Sequence, residues 1–296
     1  MTAKKDTLAN NNYPWINPIG GFGDQLMLSG VLKQVIEQFP SKRFNLARRT
    51  NYLTFLKRHP AIAEVGFPPK DSEIIGVDYW SMEKLGPGNQ RPFQILARRF
   101  GLTTPVEEHL YIPDPIEDDP LLYDIIPWKK RNIVIAPASD SPRKVIHPSI
   151  WHRAVQMLRS DGSLVLQVGR LGDLHIRNAY SLLGLTTPRQ LFSLISRCDL
   201  VITSDNFIMH AAHLMGAPAV AIWGPTHHRV YGYPEQTHLQ MPKTCELGED
   251  EECIGPHVNR KGKLYNTPCP HKDRHCMDKI RPVDIYKTAK KVLMGI

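Results

Sequence analysis

The length of 296 residues exceeds what a single hydrophobic core usually supports, which indicates two domains. A hydrophobic share of 42% and a charged share of 22% fit an ordinary soluble globular protein. The net charge of +8 favours acidic partners, but no basic run interleaved with aromatic residues occurs, so nucleic acid is not an expected partner.

The first fifteen residues, MTAKKDTLANNNYPW, lack the apolar core of a signal peptide. The sequence also contains no uninterrupted apolar run long enough to span a bilayer. We therefore expect a cytoplasmic protein with at most peripheral membrane contact.

The first predicted strand, Trp15 to Gly20, leads through a glycine-rich turn into a helix. The apolar face of this helix comprises Leu26, Leu28, Leu32, Val35, Ile36 and Phe39. A glycine-rich turn between strand and helix lets a ligand approach the backbone, so Gly21, Phe22 and Gly23 are candidates for binding an acceptor or a phosphate. Asp24 follows at the start of the helix, where a helix cap is its simplest role.

The remainder of the first half predicts fewer regular elements. Residues 68–120 are mostly rich in proline, glycine and charge. The predicted elements are a strand at Arg43 to Arg49, a helix at Tyr52 to His59, a strand beginning at Glu64 to Phe67 and a helix at Pro92 to Phe100.

The proline-containing run 113–130 is the best linker candidate. We place the domains at 1–128 and 129–240, followed by a cysteine-rich segment and closing helix at 241–296. The second domain alternates strands and helices, which predicts a parallel sheet with right-handed crossovers. Its predicted elements are a strand at Asn132 to Pro137, a helix at Pro148 to Arg159, a strand at Ser163 to Gly169 and a helix at Gln190 to Arg197.

A strand–helix–strand unit then runs from Cys198 to Thr226. Polar residues follow its first strand, Leu200 to Ile202, at the edge where parallel sheets bind ligands. The start of the next helix is suited to a phosphate. The simpler alternative is that Asp205 only caps this helix and His210 is a core histidine. The candidate ligand-binding residues are Ser204, Asp205, Asn206, Phe207 and His210.

Four cysteines lie close together in the tail, Cys245, Cys253, Cys269 and Cys276. Without an export signal, structural disulfides are disfavoured and a metal site becomes plausible. Four thiolates suit a structural zinc or iron ion. The spacings of seven, fifteen and six residues are not paired C-x-x-C knuckles, so reduced cysteines without metal stay an alternative.

The stretch from Ser204 to Ala212, SDNFIMHAA, precedes Gly216-Ala217-Pro218 and the strand end Trp223-Gly224-Pro225-Thr226. This pattern resembles the heptosyltransferases of glycosyltransferase family 9, whose equivalent stretch reads D-S-G-P-M-H-L-A before a strand ending in G-P-T. Asn206 and Phe207 replace the serine and glycine of the family, and a bulky Phe207 narrows the approach to the donor. The matching positions are Asp205, Met209, His210 and Ala212.

Weaker matches occur at Gly23-Asp24, at Leu183 to Leu191 and in the tail from Cys276 to Val283. The resemblance implies an α/β protein with the GT-B fold, in which two Rossmann-like parallel-sheet domains face a cleft. It also implies that the carboxyl-terminal domain binds the donor and the amino-terminal domain the acceptor.

The implied reaction is inverting transfer of a heptose, or a related sugar, from a nucleotide-diphosphate donor such as ADP-heptose to an acceptor hydroxyl. The resemblance makes Asp24 the general base. Lys144, with Arg143 as a rival, matches the lysine that contacts the donor phosphate. Together with the backbone at Asn206 and Phe207 it would stabilise the departing diphosphate, so no catalytic divalent metal is expected.

Gly169 and the nearby Asp173 are further donor-side candidates, although a surface turn explains Asp173 equally well. The family also includes transferases that modify autotransporter adhesins and carry a four-cysteine iron site, which makes iron an alternative to zinc. The acceptor is expected to be a glycan, a lipopolysaccharide core or a protein.

Two other functions stay open. A nucleotide-sugar 2-epimerase of the same fold would bind a similar donor without an acceptor. A non-catalytic, metal-stabilised protein that binds a sugar or nucleotide would keep the fold while Asn206 and Phe207 alter the donor site.

Overall fold

The computed structural model describes residues 13–48, 53–79, 91–103, 106–114, 116, 120–242, 253, 267–270 and 276–295. The chain divides into two compact units. Unit 1 comprises Met1–Asp78 and Phe93–Asp114, and unit 2 comprises Tyr79–Pro92 and Pro115–Ile296. In the described part of the chain, no helix combines the length and apolar character needed to cross a bilayer.

Unit 1 contains a four-stranded parallel sheet in the order β3-β2-β1-β4. A single turn of 3-10 helix at Leu53–Phe55 lies in the segment Tyr52 to His59 where a longer helix was predicted. The elements are β1 (Trp15–Pro18), α1 (Phe22–Gln38), β2 (Phe44–Ala47), β3 (Ile62–Gly66), β4 (Ile74–Val77) and α2 (Pro92–Arg99).

Unit 2 contains a six-stranded parallel sheet in the order β10-β9-β8-β5-β6-β7. Its strands are β5 (Asn132–Ala136), β6 (Leu164–Gln167), β7 (Tyr180–Ser181), β8 (Leu200–Ser204), β9 (Ala219–Trp223) and β10 (Thr237–Gln240). Its helices are α3 (Pro120–Asp124), α4 (Pro148–Ser160), α5 (Pro188–Ser196), α6 (Phe207–Leu214), α7 (His228–Tyr231) and α8 (Pro282–Met294).

The strand order of unit 2 is that of a doubly wound Rossmann sheet. Its order reverses between β5 and β8, which pair in register from Ile133 with Leu200 to Ala136 with Thr203. Sheets of this kind bind ligands outside the carboxyl ends of the strands at that reversal. The two parallel sheets confirm the predicted α/β class.

The core of unit 2 lies on both faces of this sheet. All residues of β5, β8 and β9 are buried, as expected for central parallel strands with continuous apolar runs. Helix α4 presents Trp151 and Val155 to a cluster that also contains Ile285 of α8. The carboxyl ends of β5, β8 and β9 are therefore held on a rigid layer.

Candidate functional site

The side chain of Asn206 joins the ends of β5 and β8 at the reversal of the unit 2 sheet. Its amide nitrogen donates to the carbonyls of Ala136, at 3.1 Å, and Ala138, at 2.8 Å. Its amide oxygen accepts from the backbone N–H of Ile208 at 2.8 Å and from the hydroxyl of Thr203 at 2.9 Å. Asn206 is thus the N-cap of α6, and its side-chain amide is fully occupied in holding the loops.

A buried charged cluster lies beside this cap. The ammonium of Lys144 lies 2.7 Å from the carboxylate of Asp205, which also accepts a hydrogen bond of 2.7 Å from the hydroxyl of Thr226. Lys144 and Asp205 are only 9% and 7% exposed. The three residues follow β5, β8 and β9, so the cluster depends on three neighbouring strand ends.

The electrostatics of the cluster keep Asp205 ionised. Burial raises the pKa of this carboxyl, but the charge of Lys144 and hydrogen bonds from Lys144 and Thr226 outweigh burial and lower the pKa overall. The result is an ion pair at the start of α6, where the helix dipole is positive.

His210 lies one turn into α6 and is neutral at physiological pH. Burial lowers the pKa of His210 to about 4, although the charge of Asp205 opposes this. Its Nδ1 lies 2.7 Å from the hydroxyl of the buried Tyr233. This hydrogen bond fixes the orientation of the imidazole ring, because the hydroxyl can donate to Nδ1 or accept from it.

The structure distinguishes Lys144 from Arg143, the two cations that the sequence leaves as alternatives for the phosphate contact. Arg143 adjoins Lys144 in the 3-10 turn Pro142–Lys144, yet its guanidinium is directed elsewhere. It donates to the carbonyl and hydroxyl oxygens of Thr267, both at 3.0 Å. Lys144, rather than Arg143, therefore belongs to the cluster at the strand ends.

The remaining candidates of unit 2 lie around the cluster. Ser204 is completely buried at the end of β8. The ring of Phe207 packs edge-to-face on Phe192 of α5, with 5.9 Å between the centroids. Gly169 follows β6 and accepts a backbone hydrogen bond of 2.9 Å from Gly184. Asp173 caps the turn after Gly169 by accepting from the backbone N–H of Arg170 at 2.7 Å.

In unit 1 the glycine-rich turn follows β1 and leads directly into α1. Gly21 is the N-cap of α1, and its N–H donates to the carboxylate of Asp24 at 2.7 Å. Gly20 has φ +112°, and a Cβ there would lie 2.3 Å from Asp24 Oδ2. The turn thus requires glycine because the half-buried carboxylate folds back over it. Asp24 is thus the third residue of α1, where its side chain accepts the N–H of Gly21, rather than the N-cap itself.

The other two residues of that turn contribute to packing. The ring of Phe22 contacts Phe55 edge-to-face, with 5.5 Å between centroids. Gly23 is buried in the first turn of α1.

Two of the four tail cysteines meet the loop after β9. The N–H of Cys253 donates to the carbonyl of Pro225 at 3.1 Å. A Cβ on Gly224 would lie 2.7 Å from the sulfur of Cys276. Cys245 lies outside the described residues. Among the described residues, no group of three or more His, Cys, Asp or Glu side chains could hold a metal ion.

Two residues of the site, Thr226 and Tyr233, are not predicted as functional from the sequence. Thr226 carries a usable signal, since it ends the Gly-Pro-Thr run directly after the strand beside β8. Tyr233 carries none, because its contact with His210 depends on the path of the chain through α7.

The charged cluster thus lies at the reversal of a doubly wound sheet, where α/β proteins of this class bind their ligands. The chain belongs to glycosyltransferase family 9 (heptosyltransferase), whose sequence profile matches residues 90–253. It is accordingly a glycosyltransferase. A search of curated protein sequences gives no match.

Solved structures share the fold at low sequence identity. ADP-heptose lipopolysaccharide heptosyltransferase II of E. coli is 13% identical, with a TM-score of 0.67 over 96% of this chain and 99% of that chain. The dodecameric iron-containing heptosyltransferase TibC, in complex with ADP-D-β-D-heptose, is 14% identical, with a TM-score of 0.68 over 96% and 77%. E. coli WaaC with ADP is 11% identical, with a TM-score of 0.59 over 95% and 99%.

Proposed function

We propose that the protein is an inverting glycosyltransferase that moves a heptose, or a related sugar, from a nucleotide-diphosphate donor to an acceptor hydroxyl. The observation that carries this proposal is the buried Lys144–Asp205–Thr226 cluster beside the start of α6 in unit 2. ADP-heptose is the donor of choice, because TibC is described in complex with it and WaaC with ADP.

The diphosphate of the donor would bind at Lys144 and the positive end of α6. Negative charge develops on the diphosphate as the bond to the anomeric carbon breaks, and a fixed ammonium stabilises that charge most where water is excluded. The ion pair with Asp205 orients Lys144 before the donor binds. The neutral His210 would add a hydrogen-bonding group without repelling the ammonium.

Asp24 of unit 1 would act as general base. In the proposed step it takes the proton of the acceptor hydroxyl while that oxygen bonds to the anomeric carbon and the nucleotide diphosphate leaves from the opposite face. The hydrogen bond from the N–H of Gly21 fixes the orientation of the carboxylate, which a general base requires. The acceptor would be a glycan, a lipopolysaccharide core or a protein.

Donor binding by the Lys144→Met variant tests the proposal. Loss of the ammonium should weaken ADP-heptose binding about 30-fold, because a hydrogen bond to a charged group contributes about 2 kcal/mol. Isothermal titration calorimetry with ADP-heptose measures the affinity, with Lys130→Met as the control at an exposed lysine of unit 2. Equal affinity of wild type and Lys144→Met would refute the donor site. Isomerised sugar formed from the donor alone would instead indicate an epimerase.

The four cysteines would hold one structural zinc or iron ion. The observation in favour is that Cys253 and Cys276 both contact the loop after β9. No group of three or more metal-binding side chains is present among the described residues. The proposed mechanism assigns no step to this ion. Elemental analysis of the purified protein, compared with its Cys276→Ser variant, measures whether metal is bound at these thiolates.

A further inference from the structure

The described part of the cysteine-rich tail touches two of the three loops that carry the charged cluster, those after β5 and β9. Thr267 accepts two hydrogen bonds from Arg143, the neighbour of Lys144. The tail also meets the other loop, where Cys276 and Cys253 contact the two residues that precede Thr226. The tail therefore supports two of the loops from which the cluster is built, and its contact with Arg143 spans 124 residues of sequence.

The Arg143 contact is the best defined of these. Arg143 is only 7% exposed, and its guanidinium donates from Nε and from a terminal nitrogen to the carbonyl and hydroxyl oxygens of one residue. Two parallel bonds from a planar guanidinium fix its orientation as well as its position. Since Arg143 and Lys144 belong to one turn of 3-10 helix, fixing one restricts where the other points.

A second contact fixes the far end of the same loop. The N–H of His147, the N-cap of α4, donates to the carboxylate of Asp278 at 3.0 Å. On the loop after β9, a side chain at position 224 would displace the tail side chains that pack there. A Cβ on Gly224 would lie 2.5 Å from the sulfur of Met277.

We propose that Arg143 and Thr267 are positioning residues for the donor site, which act through Lys144 without touching the donor. This inference rests on the proposed function and deepens it, because it gives the cysteine-rich tail a role in donor affinity. Holding Lys144 in place before the donor arrives reduces the ordering that binding would otherwise require.

Donor affinity of Arg143→Gln, Thr267→Val, their double variant and Thr267→Ser tests the proposal. Arg143→Gln should weaken ADP-heptose binding about tenfold, the effect expected when hydrogen bonds of a charged group are lost. Thr267→Val should have a smaller effect, and Thr267→Ser should bind like wild type because it keeps the hydroxyl. The double variant should bind no more weakly than Arg143→Gln, because Thr267 acts only through Arg143.

Calorimetry with ADP-heptose gives these affinities, and thermal unfolding shows which variants are folded. Arg153→Gln, at an exposed position of α4, is the matched control. Wild-type affinity in Arg143→Gln, or additive losses in the double variant, would overturn the proposal. If Arg143→Gln does not fold, the donor affinities of Thr267→Val and Thr267→Ser test the proposal instead. Equal affinities of these two variants would overturn it. Lys144→Met separates the two proposals, since its normal binding would refute the donor site itself.

Discussion

Burying the ion pair of Lys144 and Asp205 costs free energy of folding. Removing two charges from water costs several kcal/mol per ion. The attraction between the charges offsets this desolvation penalty only when further hydrogen bonds are made. Thr226 supplies one such bond, and the positive end of α6 favours the carboxylate. A pair retained at the carboxyl ends of three strands is better explained by ligand binding than by stability.

Asp24→Asn separates the two roles of Asp24. The asparagine oxygen can still accept the N–H of Gly21, so α1 should keep its cap, while the amide cannot take a proton. Turnover should fall about 10²- to 10⁴-fold, the usual contribution of a general base. Sugar transfer from ADP-heptose, measured by mass spectrometry, gives the rate, and calorimetry should show unchanged donor binding. Undiminished transfer would refute the base assignment, and Asp71→Asn is the control in unit 1.

The sequence predicts where the charged cluster lies, but it does not predict which residues the neighbouring side chains contact. Asp205 and Lys144 are identified by strand ends and by family resemblance, both of which are local patterns. The separation of Arg143 from Lys144 is not local, because it depends on Thr267, 124 residues away. The direction of Phe207 is likewise decided by a packing partner, Phe192, on the preceding helix.

The central strands of unit 2 were predictable because they are buried on both faces. The runs of β5, β8 and β9 are continuously apolar, and their flanking polar residues mark their ends. The strands missed by the sequence are β4, β7 and β10, which lie at the edges of the two sheets. Strand β10, Thr-His-Leu-Gln, is half-buried and shows no clear alternation of apolar and polar residues. Its strand conformation therefore follows from its pairing with β9 and could not be predicted from its own sequence.

Asn206 determines how strand ends and helix fit together, and Asn206→Asp tests this. Aspartate keeps the cap to Ile208 but loses both donors and places a negative charge against the carbonyls of Ala136 and Ala138. The free energy of unfolding should fall by about 3 kcal/mol.

Asn206→Ser, which introduces the family's residue, supplies the comparison. It removes the same two donors without adding a charge, so the loss should be nearer 1 kcal/mol. Urea unfolding followed by circular dichroism measures both variants. Equal stability of Asn206→Asp and wild type would show that the amide does not hold the loops.

Both units of the molecule contain a buried neutral histidine. In unit 1, Nδ1 of His59 accepts the N–H of Ala61 at 3.0 Å and Nε2 faces the carbonyl of Ser29 at 3.0 Å, so the proton is on Nε2. Burial lowers the pKa of His59 to about 4. His210 in unit 2 has its pKa lowered to about 4 by the same cause. In each unit, therefore, protonation of one buried histidine is coupled to the stability of the fold.

These histidines predict that acid weakens both units over the same range of pH. The unfolded chain binds a proton at each histidine below about pH 6.5, whereas the folded chain does so only near pH 4. The unfolded state therefore holds more protons in this window, and stability falls as pH drops from about 6.5 to 4, by at most about 1.4 kcal/mol per pH unit for each histidine. The lowered pKa of Asp205 acts separately, because its contribution is lost only as pH falls below the usual range of an aspartate.

Hydrogen exchange at pH 7 and pH 5, read by mass spectrometry of peptides from each unit, distinguishes the two links. His59→Gln should reduce the acid sensitivity of unit 1 peptides, and His210→Gln that of unit 2 peptides, because glutamine does not titrate in this range. Unchanged acid sensitivity in both variants would show that other groups control the response. A response of unit 2 to His59→Gln would instead show that the two units unfold together, since the only titrating group removed lies in unit 1.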